Sequence, residues 1–314
     1  MTISGRVLVD RGEHRLKDLG APERLWQLGE GEFAPLRTLE TVRHNLPVQV
    51  SSFVGRDGDV ERVVEGFSDH RVVTLVGVGG VGKTRLAVQT AAHLADRYPD
   101  GVWLVELASV DQGREVPVAV ATTLPLNLEG ERSASEVVCG ELADQSVLLV
   151  LDNCEHLLDE VADLVEELTH SGSGCAVMAT SREPLGVDGE QVMVVRSLAG
   201  VAAVELFENR AASQRDGRVL TSEEQGAAGE LCDRLDGILW AIELAAARVR
   251  SMPVVAVLER LDQRFRLLRG GRRRAVDRHQ TLRNTVQWSF DLLNTDERAR
   301  CPVSAVGDVA GVRC

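Results

Sequence analysis

The sequence predicts an α/β protein: an open parallel sheet with helices on both faces, followed by an all-α segment. Two observations carry that reading. Between residues 51 and 197, short apolar runs alternate with amphipathic stretches, as strands joined by crossover helices do. Between residues 198 and 262 the runs give way to helical periodicity throughout.

The elements follow in order. Residues 1–50 are polar and mixed, ending in an extended linker that contains Pro47. Arg71-Val-Val-Thr-Leu-Val76 is an apolar run closed by glycines, as expected of a buried parallel strand. The next stretch places Leu86, Thr90, Ala91, Leu94 and Ala95 on one helical face. Further strands are expected at Val102–Val105, Val147–Leu151 (the most apolar), Ala176–Ala179 and Gln191–Val195. Residues 263–314 begin as helix and end in a tail without pattern.

Composition narrows the function classes. The chain has 314 residues, 44% hydrophobic and 26% charged, ordinary for a globular protein. No apolar run reaches the roughly 18 residues of a membrane span, and the N-terminus lacks the apolar core of a secretion signal. A cytoplasmic location and no membrane partner are the expectations. The net charge of −13 argues against a duplex-binding face, so no direct DNA binding is expected of this chain. A local basic cluster, Arg269 with Arg272, Arg273 and Arg274, is either a solvated loop or a phosphate contact. The six cysteines form no C-x-x-C pair and no zinc spacing, so reduced thiols are expected.

The strongest signal is Gly77-Val78-Gly79-Gly80-Val81-Gly82-Lys83-Thr84, which matches G-x-x-x-x-G-K-[ST] between a strand and a helix. Glycines let the backbone curl its N–H groups toward phosphate oxygens, and the helix N-terminus adds partial positive charge. Lys83, one of only two lysines, would bridge the β- and γ-phosphates, and Thr84 would hold magnesium. The expected ligand is ATP or ADP with Mg²⁺. The alternative is a glycine-rich turn that binds nothing.

Such a loop needs an acid on a neighbouring strand. Asp152 ends the run Val147–Leu151 and is read as the second metal ligand, with a helix N-cap as the alternative. Many P-loop ATPases carry a second acid directly after the first. Here Asn153 stands there, a poor base, and Glu155 is the nearest substitute. Slow turnover is therefore expected. Arg182, after the fourth strand, sits where a guanidinium reads a γ-phosphate, or is a surface arginine.

Phe53-Val-Gly-Arg56, the P-loop, Leu149-Val-Leu-Asp-Asn-Cys-Glu-His156, Thr180-Ser-Arg-Glu-Pro184 and Leu235-Asp-Gly-Ile-Leu-Trp-Ala-Ile-Glu-Leu244 occur in this order. Together they resemble the signal-transduction ATPases with numerous domains (STAND), in the branch related to NB-ARC domains. The likeness is to actinobacterial LuxR-type transcriptional regulators and spans about residues 50–300. It implies an ATP/ADP switch module with slow or no hydrolysis and with self-association on ATP binding. An active ATPase, or a non-functional fragment of a longer regulator, are the other readings.

The resemblance also implies roles. Val54, Gly55 and Arg56 would lie near adenine and ribose, and Arg182 would sense phosphate. It implies a P-loop domain at 51–197, a helical domain at 198–262, and a partial winged helix over 263–300, with His279–Leu293 as its start. Two departures stand out. Leu239, within Gly237-Ile-Leu239, replaces a proline that packs on the base; leucine offers apolar contact without fixing the turn. Residues 301–314 match no continuation of the family, and a truncated or frameshifted reading frame is expected. Family-like residues in another frame of the coding sequence would support that. Finally, Gly12–Leu28 is similar to the end of a class III adenylate cyclase domain, or is an unrelated polar arm. The metal-binding aspartates of a cyclase would lie upstream, so no cyclase activity is expected.

Overall fold

The computed structural model describes residues 2–3, 6–14, 23–28, 44–49, 52–124, 126–128, 131–215 and 217–269. The expected winged-helix start at His279–Leu293, Arg272–Arg274 and the tail 301–314 lie outside the described residues.

The first three strands, β1 (Thr2–Ile3), β2 (Arg6–His14) and β3 (Glu23–Leu28), form a small antiparallel sheet in that order. Its pairing slips between Asp10 and Glu13. The mixed polar composition did not announce strands here, because no clean alternation marks one face.

The main sheet reads, in chain order, α1 (Asp57–Asp69), β4 (Val72–Val76), α2 (Lys83–Leu94), β5 (Gly101–Glu106), α3 (Val116–Thr123), α4 (Ala134–Leu142), β6 (Val147–Asp152), α5 (Leu158–Ser171), β7 (Ala176–Ser181) and β8 (Glu190–Val194). Five strands pair in parallel in the order β5-β6-β7-β4-β8. The expected strands are all present. The order corrects one expectation: the acid-bearing strand is not the neighbour of β4, because β7 lies between them.

Alternation along the strands explains both faces. Leu149, Leu151, Val177 and Ala179 pack with residues of α3, α4 and α5. Leu148, Val150, Val73, Leu75, Ala176 and Met178 pack with α1 and α2. All six residues of β6 are buried, as an apolar run between two helical layers requires. Truncating one such leucine to alanine costs about 2–5 kcal/mol. The predicted face of α2 is buried at Leu86, Thr90, Ala91 and Leu94, whereas Ala95 begins a following 3₁₀ turn.

The free edge of β5 is covered by the linker. His44 bridges in parallel to Val102. The Asn45 carboxamide accepts from Leu104 N–H (2.6 Å) and donates to Leu104 O (2.8 Å), imitating a strand partner.

Four helices follow: α6 (Val201–Gln214), α7 (Ser222–Arg234), α8 (Leu239–Arg248) and α9 (Val254–Arg269). They enclose a second core around Leu206, Phe207, Leu231, Ile238, Ile242 and Val257. The turn into α8 requires glycine. Gly237 has φ +63°, and a Cβ there would lie 1.6 Å from the Leu198 carbonyl oxygen. That close approach carries a hydrogen bond from Leu198 N–H to Gly237 O (2.9 Å). Among the described residues no helix is long and apolar enough to cross a membrane.

Candidate nucleotide site

The P-loop leaves the end of β4. Gly80 and Gly82 take left-handed φ values of +75° and +97°, which side-chain-bearing residues adopt only at a cost. Gly82 caps α2 without a side-chain hydrogen bond. The first amides of α2 therefore have no side-chain acceptor at the cap, the arrangement that attracts a phosphate. Lys83 is buried and donates from Nζ to Gly77 O (2.8 Å) and Val78 O (3.4 Å). Burial pulls its pKa below the usual lysine value, partly offset by the field of Glu155.

Thr84 donates from Oγ1 to Asp152 Oδ1 at 2.7 Å. Asp152 is the last residue of β6 and is buried. It is not a helix N-cap: a 3₁₀ turn over Cys154–His156 follows, and α5 begins only at Leu158 with Leu157 as its cap. Glu155 is thus on a turn rather than on a helix. Its Oε1 accepts from Arg182 Nε at 2.9 Å, and its Oε2 is buried without a hydrogen-bond partner. Arg182 is half-buried in that ion pair rather than a solvated surface arginine.

The structure thus gathers Lys83, Thr84, Asp152, Glu155 and Arg182 at the carboxyl ends of β4, β6 and β7, where ligands bind in open parallel sheets. Among the described residues no group of three or more His, Cys, Asp or Glu side chains could hold a metal. A magnesium ion fits nonetheless, since it needs only one or two protein ligands and completes its shell with phosphate and water. Thr84 Oγ1 and Asp152 are the oxygens that would hold it. The four described free cysteines, including Cys154, are buried.

The residues before α1 take a different part. Arg56 is buried and donates to Val81 O (2.8 Å), Arg196 O (2.8 Å) and Asp59 Oδ2 (3.0 Å). Its guanidinium ties the P-loop to the chain just beyond β8. Val54 is half-buried, and Gly55 packs against α6, where a Cβ would come within 2.5 Å of Ala202 Cβ.

The helical unit sits directly on the P-loop. Trp240 N–H donates to Gly80 O (3.0 Å), and a Cβ on Gly82 would lie 3.1 Å from Leu239 Cδ1. One turn further along α8, Glu243 Oε1 accepts from Arg210 Nε (2.9 Å) and Arg85 Nη1 (3.4 Å). Both arginines also donate to Ser52 O, at 2.7 Å from Arg85 and 3.2 Å from Arg210. Sequence reading missed this cluster and Thr180, whose hydroxyl donates to Asp152 Oδ1 at 2.6 Å. The motif containing Thr180 was visible, but its contact depends on strand order, which no local pattern encodes.

This fold and this loop define a P-loop nucleotide-binding protein. Residues 56–217 match the NB-ARC domain, and the chain belongs to that family. A Mycobacterium tuberculosis protein named as an HTH-type transcriptional regulator is 43% identical over 252 residues, covering 79% of this chain and 28% of that protein. An uncharacterized protein of the same species is 40% identical over 260 residues, covering 82% and 66%. The regulatory protein AfsR of Streptomyces coelicolor is 30% identical over 249 residues, covering 71% and 24%. The chain thus spans about a quarter to two thirds of the length of these relatives. Among solved structures, the Pyrococcus horikoshii STAND protein with a tetratricopeptide repeat sensor superposes with a TM-score of 0.50 at 15% identity, covering 80% of this chain and 34% of that one. A Walker-type ATPase of Pyrococcus abyssi does so with 0.50 at 16%, covering 70% and 74%. These two support the fold.

Proposed function

We propose that this chain is the nucleotide switch of a larger transcriptional or signalling regulator, binding ADP or ATP with magnesium and turning over slowly. The observation that carries this is the seating of α8 on the P-loop through Trp240 and Leu239. A ligand that rearranges the loop must then act on the helical unit, which is what a switch requires. In this reading Lys83 binds the β- and γ-phosphates, Thr84 and Asp152 hold magnesium, and Arg182 senses the γ-phosphate. Val54, Gly55, Arg56 and Leu239 shape the base end. The units divide at 51–197 and 198–262. Self-association on ATP binding, a cytoplasmic setting and a LuxR-type regulator as parent belong to the same proposal. The Gly12–Leu28 segment is proposed as a cyclase-domain tail, supported by the antiparallel pairing of β2 with β3. Asn153 after Asp152 supports slow hydrolysis, since an amide cannot take a proton from water.

Calorimetric titration of ADP and ATP with magnesium, on the chain and on Lys83→Ala, tests the proposal. Binding by the chain and its loss in the variant is the expected result. No binding by the folded chain would replace the switch with a non-functional fragment. Turnover of about 1 per second or faster would make it a working ATPase instead.

A further inference from the structure

We propose that Thr180 is a positioning residue for the magnesium site: it fixes the Asp152 carboxylate so that magnesium, and not the nucleotide alone, is bound tightly. The proposal rests on the switch reading above. Its basis is a shared oxygen. Thr180 Oγ1 donates to Asp152 Oδ1 at 2.6 Å, and Thr84 Oγ1 donates to the same oxygen at 2.7 Å. Both hydroxyls converge on Oδ1, which leaves Oδ2 as the oxygen that neither uses.

Strand order and register place Thr180 there. β7 lies between β4 and β6, with Leu151 opposite Ala179 and Leu75 opposite Thr180. One step beyond the Leu151–Ala179 pair brings Asp152 level with Thr180. Alternation puts both on the α2 side of the sheet, the side of Leu148, Val150 and Met178. Thr180 is 1% exposed, so no water competes for its proton.

The hydroxyl is also fixed in direction. Thr180 Oγ1 accepts from Asn153 N–H at 3.0 Å. A hydroxyl has one proton and two lone pairs. With a lone pair taken by Asn153, the proton is aimed at Asp152. Thr84, exposed at the start of α2, accepts no such second bond among the described residues. By donating its proton to the carboxylate it presents its lone pairs elsewhere, as a hydroxyl must to serve a cation. Thr180 is thus the fixed anchor of the pair and Thr84 the ligand.

The test compares ATP binding by calorimetry with magnesium and with EDTA, on the wild-type chain, Thr180→Val and Thr180→Ser. Valine keeps the shape and removes the hydroxyl; serine keeps the hydroxyl. Groups that orient a metal ligand typically change metal affinity by about 10- to 100-fold. The expected result is a fall of about tenfold or more in the magnesium-dependent gain for Thr180→Val. Affinity in EDTA should stay within about twofold, and Thr180→Ser should restore the gain. Equal magnesium dependence in wild type and Thr180→Val overturns the proposal, as does equal loss with and without magnesium, which marks a merely structural role. If Thr180→Val does not fold, Thr180→Ser still decides, since loss of its magnesium dependence also overturns the proposal. A wild-type chain that binds no nucleotide sinks the switch reading and this one together; binding by wild type with an unaffected Thr180→Val sinks this one alone.

Discussion

Asn153 shows how backbone and chemistry divide one position. It holds φ 65° and ψ 51°, left-handed values that asparagine tolerates better than most side chains. The bend frees the chain from β6 immediately after Asp152 and delivers its N–H to Thr180. Aspartate tolerates the same conformation, so the backbone does not explain the amide; the absence of a base does more to set chemistry than shape. Asn153→Ala should lower stability by about 1 kcal/mol, and Asn153→Gly should be closer to wild type, in urea denaturation. Equal stability of the alanine variant would show that the conformation carries no strain. The P-loop, Asp152 and Arg182 were legible from sequence because each is tied to a local motif. Thr180 was not, because its partner comes from another strand.

At the scale of elements, the strands of the main sheet could be read as apolar runs because both faces are covered. Their order could not, since a run of valines and leucines pairs equally well with several others. Helix starts are more local. Thr221 caps α7, accepting from Glu224 N–H (3.3 Å), while Glu224 accepts from Thr221 N–H (3.0 Å), the reciprocal box that T-x-x-E spacing encodes. Arg215, then Thr221, holds the Glu224 carboxyl down to about 2, against an ordinary 4.5. A depressed carboxyl contributes stability that is present above the ordinary value and lost as pH falls toward the folded one. Glu224→Gln should therefore destabilise by about 1 kcal/mol near neutral pH. The gap from wild type should narrow below pH 4.5 and close near 2, as followed by denaturant titration at several pH values. A gap independent of pH would mean that the charge plays no part.

For the whole molecule, the connections between units are the least legible feature. Ser52, Arg85, Arg210 and Glu243 come from the linker, α2, α6 and α8, and nothing in their local sequence links them. Only the folded chain brings a carbonyl, a carboxylate and two guanidiniums to one place. The Asn45 carboxamide is of the same kind, a long-range contact carried by one side chain. Its consequence lies in solubility. An open strand edge is a template for the edge of another molecule. A fragment cut at residue 56, where the family match begins, would bare the outer side of β5 at Val102 and Leu104. In light scattering after gel filtration, residues 56–269 should self-associate where residues 44–269 stay monodisperse, with Asn45→Ala in the longer fragment falling between them. Identical behaviour of the two fragments would show that the twelve residues 44–55 do not keep this sheet from growing.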